Sequence, residues 1–245
     1  MSESHKSKPP STIEPQALPF SAEQRYELKL ANEWGSPALG RSWIRMHPEG
    51  FQVAHAPRMV NNLYLDTTDL RSFNDNLSGV SGRLKVRLRW YGQAENNSII
   101  NPTLELKIKQ NMMGDKRRQE LTCSVDLRRP YVEILKLIRS QADSQWRSWL
   151  QASVQPTIIN RYWREYYVSP DGAIRATLDY AQVAFNQRLG SRPNLNRPLP
   201  TNDMMLIEVK SKPQYHERLQ QAMSYFPIQR SRNSKYVNSL LGGPI

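Results

Sequence analysis

The sequence predicts a mainly β protein of the α+β class, a closed antiparallel barrel of eight strands with flanking helices. Three observations support this prediction. Eight segments of the 245-residue chain have strand character, and in several of them apolar and charged residues alternate with the period of two that strands show. An eight-stranded barrel has room inside for side chains or one small ligand, which suits strands with one charged face. Helical spacing is confined to a few stretches.

The strands follow from these segments in order. The most informative is SGRLKVRLRWY at 81–91, where every second residue from Leu84 to Trp90 is apolar and every second residue from Arg83 to Arg89 is basic. Such a strand has one face for a core and one for a charged environment. The eight predicted strands are 24–30, 60–67, 81–91, 102–110, 116–125, 157–168, 173–185 and 203–211.

Helices and turns are predicted between the strands. Gly114 and Asp115 indicate a hairpin turn, further turns are predicted at 66–69 and 169–172, and 188–202 reads as a Pro- and Asn-rich loop. A short helix or turn is predicted through Phe73 and Leu77. The predicted helices are 37–46, 130–150, 213–225 and 233–240.

The N-terminal segment differs in composition from the rest. Residues 1–20 contain four prolines and several polar residues, which predicts a disordered leader before a single domain at 21–245. The leader has no apolar run typical of a secretory signal, and no segment approaches the ~20 apolar residues of a membrane span. Cys123 is the one cysteine, so an internal disulfide and a cysteine zinc site are excluded. We expect a soluble, cytoplasmic protein without a membrane span.

Charge is the strongest functional signal. The chain has 34 Lys and Arg against 22 Asp and Glu, a formal net charge of +12, which favours anionic partners. An open sheet with one wet face would also alternate, but it would mix signs, whereas here like charges recur on strand after strand. One face per strand collects eleven cations and four acids: Arg25, Glu27, Lys29, Arg83, Lys85, Arg87, Arg89, Glu105, Lys107, Lys109, Arg164, Arg175, Asp179, Glu208 and Lys210.

A barrel would turn these faces inward, where the cations would need an anionic partner. A triphosphate or longer polyphosphate supplies that charge, since Arg and Lys both suit phosphate oxygens. Mg²⁺ or Mn²⁺ on a phosphate takes one or two carboxylates, so Glu208, in the apolar stretch MMLIEVK, is the first candidate metal ligand and Glu27 the second. A salt bridge to a neighbouring Lys or Arg is the alternative role for each.

The same segments resemble the VTC domain, the polyphosphate polymerase module of the vacuolar transporter chaperone complex. That family belongs to the triphosphate tunnel metalloenzymes, which include the CYTH proteins. Each match is short, but eight occur in the family's order and span most of 21–240. The matching segments are RYELK at 25–29, LYLDT at 63–67, GRLKVRLRWYG at 82–92, LELKIK at 104–109, RYWREYY at 161–167, IRATLD at 174–179, IEVK at 207–210 and SKY at 234–236.

The resemblance implies a role for each matching residue. Arg118 corresponds to a further basic tunnel position, with Arg117 as the alternative. Arg161 and Arg164 have opposite strand parity, so only one of them should point inward, and the motif favours Arg164. Arg232 and Lys235 correspond to a basic pair near the tunnel mouth, and Glu208 to the metal-binding glutamate. The residues expected to act in catalysis are Arg87, Arg89, Lys107, Arg164 and Arg175. Those expected to bind substrate phosphates are Lys29, Lys85, Lys109, Arg118, Lys210, Arg232 and Lys235.

One position departs from the wider superfamily. Its first strand begins Glu-x-Glu-x-Lys, and Arg25 stands at the first Glu here, as in VTC-like members. The change removes one metal ligand and argues against a two-metal triphosphatase.

The resemblance therefore implies metal-dependent transfer of the ATP γ-phosphate to inorganic polyphosphate. The chain has no Walker A or G-x-S-x-G motif. Two alternatives stay open: hydrolysis of inorganic or nucleoside triphosphates in the same bore, and non-catalytic binding of polyphosphate or nucleic acid. Nucleic acid is not the expected partner, because a tunnel would bury the cations that a nucleic-acid surface exposes. The sequence sets neither the oligomeric state nor the choice between Mn²⁺ and Mg²⁺ or between ATP and GTP.

Overall fold

The computed structural model describes residues 24–33, 35–94, 97–110, 113–200 and 204–242. These residues form ten strands and six α-helices, together with a short 3₁₀ helix at Pro213–Tyr215. The strands are β1 (Arg25–Asn32), β2 (Gln52–Asp66), β3 (Gly82–Tyr91), β4 (Ser98–Ile100), β5 (Thr103–Gln110), β6 (Met113–Glu120), β7 (Ser124–Asp126), β8 (Gln155–Val168), β9 (Ile174–Asn186) and β10 (Met205–Ser211). The helices are α1 (Pro37–Arg45), α2 (Arg71–Leu77), α3 (Tyr131–Gln141), α4 (Ser144–Ala152), α5 (His216–Ser224) and α6 (Lys235–Leu241).

Eight strands close into one antiparallel barrel, as the sequence predicts. Their order around the ring is β1-β10-β9-β8-β2-β3-β5-β6. The ring closes where Arg25 and Tyr26 of β1 pair with Gly114 and Met113 of β6. The remaining strands, β4 and β7, form a separate two-stranded sheet.

The hydrophobic core lies between the barrel wall and the helices outside it. Leu104, Leu106 and Ile108 of β5 point outward and pack with α3 and α4, through residues such as Ile138 and Trp146. On the opposite side β1, β9 and β10 pack against α1 and α5 in a second cluster. Since apolar side chains alternate with polar ones along each strand, an outer core leaves most of the inner face to polar and charged residues. A smaller apolar cluster, in which Tyr64, Ile158 and Ala184 pack with α6, lies on the inner face.

Two boundary predictions around β6 are wrong. Gly114 and Asp115 lie inside β6, paired with Lys109 and Ile108, and the connection to β5 falls at 111–112, outside the described residues. The predicted strand 116–125 is also divided, because β6 ends at Glu120 and the chain then moves to the small sheet through β7. Gly within a strand marks a bend or close approach as well as a turn, which is why the dipeptide misleads.

The predicted helix 130–150 is two helices. The Asp143 side chain accepts a hydrogen bond from the Trp146 amide at 2.9 Å and begins α4 after a break at Ala142. The other helices lie close to their predicted positions, and the loop 188–202 has no helix or strand in its described part. The predicted leader, residues 1–20, lies outside the described residues. Among the described residues, no helix is both long and apolar enough to cross a membrane.

Candidate functional site

Charged side chains from neighbouring strands converge inside the barrel. Strand pairing places Lys29 of β1 opposite Glu208 of β10, and Arg87 of β3 opposite Glu105 of β5. Directly paired residues point to the same face of a sheet, so all four belong to the inner surface. We call the space they enclose the bore.

Glu208 lies at the centre of one cluster in the bore. Its side chain is 8% exposed, and four cations surround it. The nearest nitrogens lie at 2.6 Å for Lys210, 3.3 Å for Arg164, 3.5 Å for Lys29 and 3.5 Å for Lys235. Burial alone would raise the pKa of Glu208, but Lys210, Lys235, Lys29 and Arg164 hold it well below its ordinary range. Glu208 is therefore a carboxylate at neutral pH.

Glu27 lies beside Glu208 and shares its lysines. Lys107 approaches Glu27 at 2.9 Å, Lys29 at 3.4 Å and Lys210 at 3.8 Å, and the last two also contact Glu208. Burial, only partly offset by the attraction of Glu27, lowers the pKa of Lys107 to about 8. The two carboxylates thus face one part of the bore from adjacent strands.

This pair fits a metal held jointly with phosphate. In the described parts of the chain, no group of three or more His, Cys, Asp or Glu residues is placed to hold a metal ion. The residues present therefore do not form a closed protein cage. A divalent ion that takes one or two carboxylates and completes its shell with phosphate oxygens and water matches Glu208 and Glu27.

Asp179 joins the same cluster through Arg164. Arg164 donates to Asp179 from Nε and Nη2, both at 2.6 Å, as a bidentate pair, and Lys235 Nζ lies 2.5 Å from Asp179. Arg164 and Lys235 also lie over the Tyr162 ring, at 5.3 and 4.8 Å from its centroid. Arg164 therefore points into the bore, whereas the Arg161 guanidinium lies over Phe185 of the outer core.

Glu105 is the centre of a second cluster. It is 2% exposed and contacts four cations, one of them Lys116. Arg87 approaches at 2.6 Å, Arg89 at 3.4 Å and Arg118 at 3.7 Å. Burial would raise the pKa of Glu105, but Arg87, Arg89 and Lys116 hold it far below its ordinary value. One carboxylate thus neutralises part of a strongly basic surface.

Comparison with known proteins places the chain in a family. The model of the VTC domain matches residues 16–241. The chain belongs to the VTC domain family. Among solved structures, a Hippeastrum protein named as a candidate adenylyl cyclase and described as having a dominant triphosphatase activity is similar at 15% identity. That alignment covers 91% of this chain and 97% of the other, with a TM-score of 0.49.

Two further structures are similar to this VTC domain. One is a Pyrococcus horikoshii OT3 protein, at 15% identity over 89% of this chain and 97% of the other, with a TM-score of 0.48. The other is a Vibrio parahaemolyticus protein named as a candidate adenylate cyclase, at 13% identity over 86% and 95%, with a TM-score of 0.47. A comparison with curated proteins found no match.

Strand β6 of the VTC domain carries a residue absent from the predicted site. Pairing places Lys116 opposite Lys107 and Arg118 opposite Glu105, so both face the bore. Arg117, the alternative to Arg118, lies outside with its guanidinium 5.7 Å from the Trp149 ring. Burial, with repulsion from Arg87 and Arg89, lowers the pKa of Lys116 against the attraction of Glu105. The parity that selects Arg118 also selects Lys116.

Arg175 and Arg232 are exposed members of the predicted site. Arg175 shares the inner face with Asp179 but is exposed near the start of β9. The basic pair predicted at the mouth separates, because Arg232 is exposed and Lys235 is 7% exposed against Asp179 and Glu208. Lys235 therefore belongs to the Glu208 cluster, which corrects its predicted position at the mouth.

Where β3 begins, three basic side chains of the described residues lie on the inner face of the bore. Lys85 donates a hydrogen bond to Ser234 Oγ at 2.8 Å and lies over Tyr236. Arg83 pairs across the sheet with Lys109. Burial, together with repulsion from Lys107, Lys29, Arg83 and Arg87, lowers the pKa of Lys85 well below its ordinary 10.5. We call this end, defined by Arg83, Lys85 and Lys109, the basic end.

Replacing Lys85 by Met should stabilise the protein at neutral pH. The unfolded chain binds a proton at Lys85 up to about pH 10.5, and the folded chain releases it earlier, so stability rises with pH between the two pKa values. Met removes this dependence and the buried charge. Thermal unfolding should show a higher Tm at pH 7, by about 2–4 °C per kcal/mol, and a flatter rise towards pH 9.

The matched control is Lys136→Met, since Lys136 is exposed on α3. It should leave the slope of Tm against pH unchanged. An unaltered slope of Tm against pH in Lys85→Met would show that Lys85 does not cause the rise of stability with pH.

Proposed function

We propose that this VTC domain is a polyphosphate polymerase, which transfers the γ-phosphate of ATP to a growing inorganic polyphosphate inside the bore. One observation carries the proposal: inside the closed barrel the acids Glu27, Glu105, Asp179 and Glu208 are outnumbered by the cations around them. A linear polyanion supplies the missing negative charge along the whole channel. Membership of the VTC family supports the same substrate class.

The proposed mechanism depends on positioning and charge neutralisation. A terminal oxygen of the polyphosphate attacks the γ-phosphorus, the bond to the β–γ bridging oxygen breaks, and ADP leaves with that electron pair. The planar guanidinium groups of Arg87, Arg89 and Arg164 can each donate two parallel hydrogen bonds to non-bridging phosphate oxygens, which fixes the orientation of the phosphate. The Lys107 ammonium group is a compact charge that suits the negative charge developing on the leaving ADP. The residues proposed to bind phosphate groups along the polyphosphate are Lys29, Lys85, Lys109, Arg118, Arg175, Lys210, Arg232 and Lys235.

Glu208 and Glu27 are proposed to hold a divalent ion, Mn²⁺ or Mg²⁺. Such an ion would neutralise charge that develops on the phosphate oxygens. Because Lys29 and Lys210 contact both carboxylates now, binding of the ion would require these lysines to turn towards phosphate. The same four groups would then hold the metal and the polyanion together.

Purified protein incubated with ATP and Mn²⁺ or Mg²⁺ tests the proposal. We expect chains longer than the input phosphate on a polyacrylamide gel stained for polyphosphate, with ADP formed in proportion. A matched incubation with EDTA should give neither product. Orthophosphate without longer chains would instead identify a triphosphatase, and binding without turnover would identify a non-catalytic polyanion-binding module.

A further inference from the structure

Two tyrosines stand at the end of the bore opposite the basic end. Tyr91 is the last residue of β3, two positions after Arg89, and Tyr166 follows Arg164 on β8 by the same step. Strand alternation puts each tyrosine on the face of its arginine, about 7 Å further along at ~3.4 Å per residue. Tyr91 is 48% exposed, so its ring is available to a ligand. The proposed phosphate chemistry uses neither ring.

Arg58 links the two tyrosines. Its guanidinium carbon lies 5.7 Å from the ring centroid of Tyr91 and 5.7 Å from that of Tyr166. β2 pairing places Arg58 opposite Arg164, and the His55 ring meets Tyr166 edge-on at 5.7 Å. We call Tyr91, Arg58, Tyr166 and His55 the aromatic rim. It presents planar faces directly beside the phosphate-facing arginines.

In the part of the chain that the structure describes, the basic end offers no such surface. Its nearby ring, Tyr236 of α6, is 2% exposed, stacks on Tyr64 at 4.9 Å and donates a hydrogen bond to Asp66 at 2.6 Å. Arg83, Lys85 and Lys109 give that end charge instead. The two ends of the bore therefore differ in chemistry, since the exposed ring of Tyr91 accompanies the cations at one end, whereas the Tyr236 ring is buried at the other.

We propose that the aromatic rim binds the base of the donor nucleoside triphosphate. Aromatic rings and guanidinium groups stack on nucleobases, and stacking tolerates any base because each has a π-face. The donor would enter at the rim with its phosphates beside Arg89 and Arg164, and the phosphate chain would extend towards the basic end. The inference rests on the proposed function and adds to it the orientation of the donor. ATP and GTP should then bind with similar affinity.

Calorimetric titration of two ligands tests the rim. The β,γ-imido analogue of ATP carries the base, and inorganic tripolyphosphate carries the phosphates alone. We expect Tyr91→Ala and Tyr166→Ala each to raise the Kd of the ATP analogue about tenfold, within the range for loss of one stacked base. The Kd of tripolyphosphate should change less than about twofold. Tyr91→Phe keeps the stacking face and should bind the analogue like the wild type.

Trp163→Ala is the matched control, because Trp163 is a 38%-exposed aromatic residue on the outer face of the same strand as Tyr166. It should alter neither Kd. An unchanged affinity for the ATP analogue in the tyrosine variants, or an equal loss of affinity for both ligands, would overturn the proposal that the aromatic rim binds the base. Neither result would contradict the proposed phosphate site. A wild-type protein that binds neither ligand would overturn the proposed function as well.

Discussion

Replacing Glu208 by Gln should lower metal-dependent turnover by at least about 100-fold, the scale seen when one group that stabilises transition-state charge is removed. The amide has nearly the same shape but is a far weaker ligand for a hard cation. Folding should survive, because Asp179 still pairs with Arg164 and Lys235. Initial rates against Mn²⁺ concentration, with Tm measured on the same samples, separate loss of the metal ligand from loss of the fold.

The control for this prediction is Glu133→Gln, an exposed glutamate on α3 whose partner is the nearby Arg129. Its rate and Tm should match the wild type. Glu27→Gln should have a smaller effect than Glu208→Gln, since Glu27 is 22% exposed and Glu208 8%. Wild-type rates in Glu208→Gln would rule out the proposed role of this carboxylate.

The fold follows from the sequence to the extent that alternation decides it. In 81–91 the apolar and basic residues alternate without interruption, and β3 occupies Gly82–Tyr91. Alternation also predicts the charged inner face, because the apolar face needs a core and the helices provide one outside the ring. Where local turn chemistry was used instead, at Gly114 and Asp115, the prediction is wrong because pairing with β1 and β5 extends the strand.

The site is predictable up to the first irregularity in a strand. A bulge places Ala181 and Gln182 opposite Tyr162, with Ala181 at φ 50°, and it reverses which later residues of β9 face inward. Assigning every second residue of β9 to the inner face is therefore correct up to Asp179 and wrong beyond the bulge. Lys235 illustrates a different limit. It contacts Glu208 from helix α6, and the alternation of residues along strands cannot predict a contact that a helix makes.

Replacing Glu105 by Gln should destabilise the free protein by about 3–5 kcal/mol, the usual cost of leaving buried charges without their partner. The substitution removes the shared counter-charge of Arg87, Arg89 and Lys116 while keeping the size of the side chain. The loss should appear as a fall in Tm and in the free energy of unfolding in urea. It should be largest in buffers without phosphate or other multivalent anions.

Tripolyphosphate should restore much of this loss. A ligand that binds the folded state stabilises it by RT ln(1 + [L]/Kd), and the variant should bind a polyanion more tightly because no carboxylate competes for the three cations. The control variant Glu165→Gln separates stabilisation by tripolyphosphate bound in the bore from general stabilisation by the ligand. Glu165 is likewise buried and paired, with Arg41 at 2.7 Å, but it lies on the outer face of β8. Glu165→Gln should also lower Tm, yet tripolyphosphate should raise its Tm only as much as it raises that of the wild type. Equal shifts for Glu105→Gln and Glu165→Gln would mean that the ligand does not replace Glu105, and the polyanion would then have to bind elsewhere than along this inner surface.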